Sequence, residues 1–472
     1  MPACKSSRHL WLAAFAIVAA LSLCLTQSRV AYGQASINIT TLRPFVTGIV
    51  PVVGNGAVGG IAIDAQGIVS RSSVDAMGKL ADERRAALHM ELSADISAAS
   101  DLRKVSLRRL EQAIYAKRKA DQSLDQEMLL LAGLQDVQFI FLHPEENDII
   151  IAGRAEGWEL DKAGYLVGAK SRRPVLQLED LMTVLRGMDA ARETGITCSI
   201  DPSADGLASL QDYFDSGPRM SERAMRRMEQ LVGPQSVTLA GVPADSHFAR
   251  VMVAADFLMK RIAMGLEKSP VRALPSYMQM LKSARVPIPK DSMPRWWLAP
   301  DYAAPVRDSA GLAYALPQSG VKVMTEDSYL LDDGTLQRTE DANPAAKDWA
   351  DRFGEHYTEV SEKMPVFAQL RCLMDLAIVA AIARDPQTMS TIGYDFPLLT
   401  SDEALPVASY HVPQQIASQS SFIKKGNQYV ISISGGVDLA PGEVLGSATL
   451  GEDVAKDRAA ALPTANENWW WD

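Results

Sequence analysis

A chain of 472 residues, 47% apolar and with a net charge of −10, can bury two or three cores. It is too acidic overall to seek nucleic acid or anionic lipid. Four cysteines without a C-x-x-C exclude a cysteine zinc site or a thiol-redox motif.

The first segment reads as a secretory signal peptide over residues 1–33. Lys5 and Arg8 precede an apolar run from Leu10 to Leu25, and small residues follow at Ala31, Gly33 and Ala35. The run is short of the ~20 residues that a membrane span needs, and an uncleaved anchor or a lipidated Cys24 are the weaker alternatives. Cleavage after Gly33 or Ala35 removes three basic residues and no acid, so the charge moves to about −13. The expected mature protein is exported to the periplasm, cell envelope or medium, with no membrane span after cleavage. Cys198 and Cys372 then remain, both in apolar surroundings that favour buried thiols, although a bridge between them stays open.

Gly54, Gly56 and Gly59 in "VVGNGAVGG" match the dinucleotide-binding pattern, which requires a helix to open on the glycines. Here "IAID" and "IVS" flank Ala65-Gln66-Gly67, so the chain continues as a β-hairpin and the match is coincidental. From about Val74 to Leu131, apolar residues recur at three and four, predicting two or three amphipathic helices. "VQFIFL" and "DIIIAG" predict a hairpin, as do "WEL" and "YLVG". A helix over "LEDLMTVLRGMDAARE" leads into a strand at 196–200. Helices at 204–214 and 221–232 and a strand at 236–242 follow. A strongly helical stretch then runs from Ser246 to Glu267. Within the Pro-rich 285–300 boundary, Trp296-Trp297 reads as a packed strand; beyond it come a β-meander over "GLAYAL" and "VKVMTEDSYLL", a helix opened by Asn343-Pro344, and a second helix hinged near Pro365. A strand "QYVISIS" precedes a polar tail ending "NENWWWD".

The fold class is α+β, with mixed sheets, a helical N-terminal segment and a long central helix. The segments expected are 34–135, 136–290, 291–385 and 386–472.

Asp201, Ser203, Asp205 and Asp212 fall at positions 1, 3, 5 and 12 of a calcium loop with Gly206 at its sixth place. Ala208, an Asp where bidentate Glu is usual, and a preceding strand count against it. A strand-to-helix turn capped by Ser203 or Asp205 is the plainer alternative. The loop from His143 to Asp148 offers three acids and a histidine, but reads as a solvated hairpin turn. On the Ser246–Glu267 helix two apolar faces enclose a stripe holding Asp256 and Lys260, spaced for an i, i+4 ion pair in a buried helix. No G-x-S-x-G or H-E-x-x-H occurs, and Ser421-x-x-Lys424 does not open a helix. Trp469, Trp470 and Trp471 close the tail, and such a cluster either folds back into a groove or meets a protein partner.

Several strings, "VQFIFLHPEENDIIIAGRAEGW", "RPVLQLEDLMTVLR", "TCSIDPSADGL" and "GPQSVTLAGVPADSHFARVMVAADFLMKRIAMGLE" with "LPSYMQML", carry a resemblance. Over about residues 137–325 the chain resembles an uncharacterised family of exported bacterial proteins known only as a domain of unknown function. The resemblance implies no activity, cofactor or catalytic residues, and a less acidic loop at Asp205. The expected function is therefore an exported, non-catalytic envelope protein with a structural or protein-binding role. Its rival is an exported hydrolase centred on Asp256, Lys260, Asp201 and His247.

Overall fold

Two mixed sheets and the helices packed on them organise the chain. The computed structural model describes residues 61–63, 68–71, 92–161, 165–219, 221–283, 292–317, 319–331, 336–339, 341–418, 420–425, 428–431, 435–462 and 469–472. The signal-peptide segment and Gly54–Gly60 lie outside them. Ile61–Ile63 does pair antiparallel with Ile68–Arg71, so a hairpin and not a helix follows the glycines, as their sequence context requires.

The larger sheet has nine strands. In spatial order they are Ile61–Ile63, Ile68–Arg71, Gln415–Ile416, Gln235–Ala240, Ile196–Asp201, Gly435–Leu439, Ser292–Tyr302, Ser319–Leu330 and Leu336–Arg338. Neighbours are antiparallel except at two places, Gln415–Ile416 beside Ile68–Arg71 and Gly435–Leu439 beside Ser292–Tyr302. The smaller sheet has six strands, with Phe139–His143 in its middle, Asp148–Ala155 beside it and Ser100–Ser106 at one edge. This is the α+β architecture that the sequence predicts. All four of the expected segments contribute strands to the nine-stranded sheet, and 38–472 cluster as one unit.

Period-two burial builds the middle of that sheet. Trp296 and Leu298 face inward while Arg295 and Trp297 are partly exposed, with the Arg295 guanidinium 5.2 Å from the Trp297 ring. Trp296 meets Trp349 edge-on at 5.6 Å, and Phe353 of the same helix, Pro344–Glu355, meets Phe367 at 5.4 Å. Aromatic edges thus carry the core from sheet to helix to helix. Asn343 caps Pro344–Glu355 by accepting from the Ala346 N–H at 2.9 Å, as Asn-Pro at a helix start predicts.

Two helices lie in the interior. His247–Ala263 packs on the strands at 196–201, 292–302 and 435–439, and is buried without a break from Phe248 to Lys260. Pro365–Ala383 packs on it and on Leu178–Thr194. It is long and apolar enough to cross a membrane, a property the sequence reading did not assign to it. Yet 89% of its most apolar window is buried, and it serves as a core helix.

Two local expectations change. Ser100–Ser106, read as helix, is a strand paired with Asp148–Ala155, its helical spacing overridden by that ladder. Ser106 then caps the helix Leu107–Lys119 by accepting from the Arg109 N–H. The central helix stops at Ala263, ahead of Gly265 with its φ of +68°, and not at Glu267. Cys198 and Cys372 are separate buried thiols, with burial pushing Cys372 up to about 12.

Candidate functional site

The central helix carries the best catalytic candidates, and the fold encloses them. Lys260 Nζ lies 2.9 Å from Asp256 Oδ2, with the Asp256 side chain fully buried. The lysine arm runs over Gly435, where a Cβ would come 2.2 Å from Lys260 Cε and 2.4 Å from the Trp296 carbonyl oxygen. Glycine at 435 is what lets the arm cross the sheet. Burial raises the Asp256 carboxyl above its ordinary value, with Lys260 opposing the shift. Asp201 joins the electrostatic neighbourhood from the end of its strand and accepts from the Ser199 hydroxyl. The cavity beside the pair, bounded by Ile200, Gln235 and Ile416, measures about 10 Å³. That is room for one water, not a substrate.

His247 is not part of this group. Nine residues of helix separate it from Asp256, or about 13 Å along the axis. Its Nδ1 instead meets both Asp180 oxygens at 3.0 Å, and its ring lies 5.4 Å from Tyr410. Tyr410 donates to Glu179 at 2.7 Å. Burial alone would lower the imidazole's pKa, but the Asp180 and Glu179 carboxylates outweigh it and raise it. Burial pushes Glu179 up to about 7. Sequence reasoning missed Asp180, Glu179 and Tyr410 because they come from a different helix and a distant loop. The adjoining cavity is about 20 Å³.

The calcium candidates are not brought together. Ser203 caps Ala204–Asp215, accepting from the Gly206 N–H at 3.0 Å, and the chain is helical from Ala204 onward. Asp205 and Asp212 therefore stand about 10 Å apart along a helix axis, where a calcium loop would wrap them round one ion. The capped turn is the outcome. In the hairpin turn, His143 Nδ1 meets Glu145 at 3.1 Å, Arg458 binds Glu145, and Asp148 accepts from the Arg108 N–H and the Ser106 hydroxyl. Among the described residues no His, Cys, Asp or Glu cluster is arranged to hold a metal.

The tryptophans fold back on the chain. Trp470 accepts from the Ser106 N–H at 2.9 Å, Asp472 donates its N–H to the Lys104 carbonyl at 3.1 Å, and Val105 bridges Trp471. The tail thus extends the edge of the six-stranded sheet. Trp469 is buried with Phe141, Ile150, Ala313, Val454 and Ala461, and Arg103 stacks 5.2 Å from the Trp471 ring. Trp469 is buried, while Trp470 and Trp471 remain partly exposed.

The most open of these cavities lies elsewhere, on the paired helices Ala204–Asp215 and Glu222–Val232. It measures about 560 Å³ and is lined by Arg219, Arg223, Arg226, Arg227, Tyr213 and Gln230 among others, with no acid in its wall. The sequence signal was present, arginines spaced at i, i+3 and i+4 in "SERAMRRMEQ", but net charge concealed it.

Residues 198–277 match the family described as "Protein of unknown function (DUF1598)". The match covers the central part of the 137–325 resemblance. No curated protein and no solved structure matches the chain. The family's segment runs from the strand at Cys198 through the arginine-lined cavity and the Asp256–Lys260 pair to Tyr277, and omits Glu179, Asp180 and Tyr410.

Proposed function

We propose that this is an exported, non-catalytic cell-envelope protein with a structural or protein-binding role. One observation carries the reading: the ionisable groups best suited to catalysis are engaged in buried ion pairs, one within the central helix and one between two helices. Asp256 holds Lys260, and Asp180 holds His247, beside cavities of about 10 and 20 Å³. Uncompensated charge in an interior costs several kcal/mol per ion, so pairs like these are expected wherever charges must be buried. Export is supported by Lys5, Arg8, the apolar run from Leu10 and the small residues before position 35. The backbone of the tryptophan tail pairs with Lys104–Ser106, while Trp470 and Trp471 keep partly exposed rings that a partner could meet.

The test combines location and chemistry. In the native host, the reading expects a chain in the envelope or secreted fraction whose amino terminus, by mass spectrometry, begins at Gln34 or Ser36. It expects no turnover of ester, peptide, phosphoester or glycoside reporters above a heat-denatured control. An unprocessed cytoplasmic chain would contradict it. So would a hydrolytic activity abolished by His247→Gln or Asp256→Asn in protein that still melts cooperatively.

A further inference from the structure

We infer that the arginine-lined cavity on the Ala204–Asp215 and Glu222–Val232 helices is a binding site for a ligand bearing at least two phosphate groups. The inference deepens the binding role just proposed and rests on that reading. Arg223, Arg226 and Arg227 project from one face of Glu222–Val232, with Gln230 one turn further on, and Arg219 reaches the same cavity from the preceding loop. Among the described residues, the ion pair formed by these arginines is that of Arg226 with Glu222 at 3.8 Å, and both are largely exposed. Arg219, Arg223 and Arg227 form no ion pair among the described residues. Four guanidinium groups within one concavity repel one another and are stabilised by an anion between them. In a chain of net charge −10, such a grouping is a local reversal of field that concentrates anions.

The geometry narrows the class. All four cations are arginines, whose planar forks suit two-oxygen contacts with phosphate better than a lysine's point charge does. The cavity runs along one side of the 11-residue helix, from Ser221 at its cap to Gln230 near its far end. Arg223 and Arg227 stand one turn apart, about 6 Å along the helix axis, so their two forks line the same wall. A volume of about 560 Å³ also exceeds that of a lone inorganic anion. Tyr213 offers a phenol at the wall for a further oxygen. The hydrophobic seam of Leu207, Leu210, Met225, Met228 and Val232 holds the two helices together beneath.

Pyrophosphate is the probe, titrated calorimetrically into the purified full chain at fixed salt, beside inorganic phosphate and citrate. We expect saturable binding of pyrophosphate, at least tenfold tighter than either control. Arg223→Ala with Arg227→Ala should weaken it at least tenfold, and the Lys substitutions by an intermediate factor. These side chains are exposed, so an unchanged melting temperature serves as the folding control. The inference is overturned by absence of pyrophosphate binding at millimolar concentration, by equal affinity for citrate, or by binding that survives the double alanine variant. None of these outcomes alters the processing and turnover tests of the proposed function, so the two fail separately.

Discussion

Asp256 and Lys260 illustrate how far single residues could be read. Their i, i+4 spacing on a helix apolar on both sides announces a buried pair, and the 2.9 Å contact delivers it. His247 was legible only as a titratable group. Its partner Asp180 lies 67 positions away, and no local spacing encodes a contact across two helices. If the pair is structural, Asp256→Ala strands a buried ammonium and should cost about 3–5 kcal/mol in urea unfolding. Asp256→Leu with Lys260→Met, which removes both charges and keeps the volume, should recover most of that loss. Glu111 offers a pH test. It accepts from the Leu398 and Leu399 N–H groups at 2.6 and 3.0 Å, and burial pushes it up to about 7 from 4.5. The folded chain keeps a proton that the unfolded chain releases in that window. Its contribution to stability is therefore complete below about pH 4.5 and lost as pH rises through about 7. Against Glu111→Gln, the wild type should lose stability between about pH 4.5 and about pH 7, measured by denaturant midpoint.

Among elements, the helices and hairpins with strong periodicity or caps were legible, from the Ser246 cap and Asn343-Pro344 to the turn between Phe139–His143 and Asp148–Ala155. Ser100–Ser106 was not, because its strand state depends on partners at Asp148–Ala155 and at the tail. The tail itself left two outcomes open, and the structure selects folding back. Trp469→Ala should then destabilise by about 3 kcal/mol, since it empties a buried site. Removing residues 469–472 should also speed hydrogen exchange at the Ser106 amide, which donates to Trp470, and leave amides of the central helix protected. An unchanged Ser106 exchange rate would argue that the tail is not docked.

At the scale of the molecule, the α+β class was readable from the mixture of periods, but the order of strands in the sheet was not. Proline-rich text near 285–300 resembles a linker, yet Ser292–Tyr302 enters the middle of the large sheet between Gly435–Leu439 and Ser319–Leu330. Which strands share a sheet is a long-range fact that composition does not carry. A fragment of residues 136–290 would lack the flanking strand at 435–439 and the core helix Pro365–Ala383. Expressed alone, we expect it to give no cooperative thermal transition, and we expect the full chain to give one.

The same arrangement separates what holds the molecule together from what meets its surroundings. Charges at Asp256, Lys260, Asp180 and His247 belong to the interior, and the arginines at 219, 223, 226 and 227 to an open surface. The most direct measurement is photo-crosslinking in the native envelope from a probe at Gln230. The wild type would be compared with Asp256→Leu/Lys260→Met and with Arg223→Ala/Arg227→Ala, each first confirmed as folded. The account predicts the same crosslinked envelope component for wild type and the central-pair variant, and its loss in the arginine variant. Loss in the folded central-pair variant with retention in the arginine variant would contradict it, and would return the function to the buried helix.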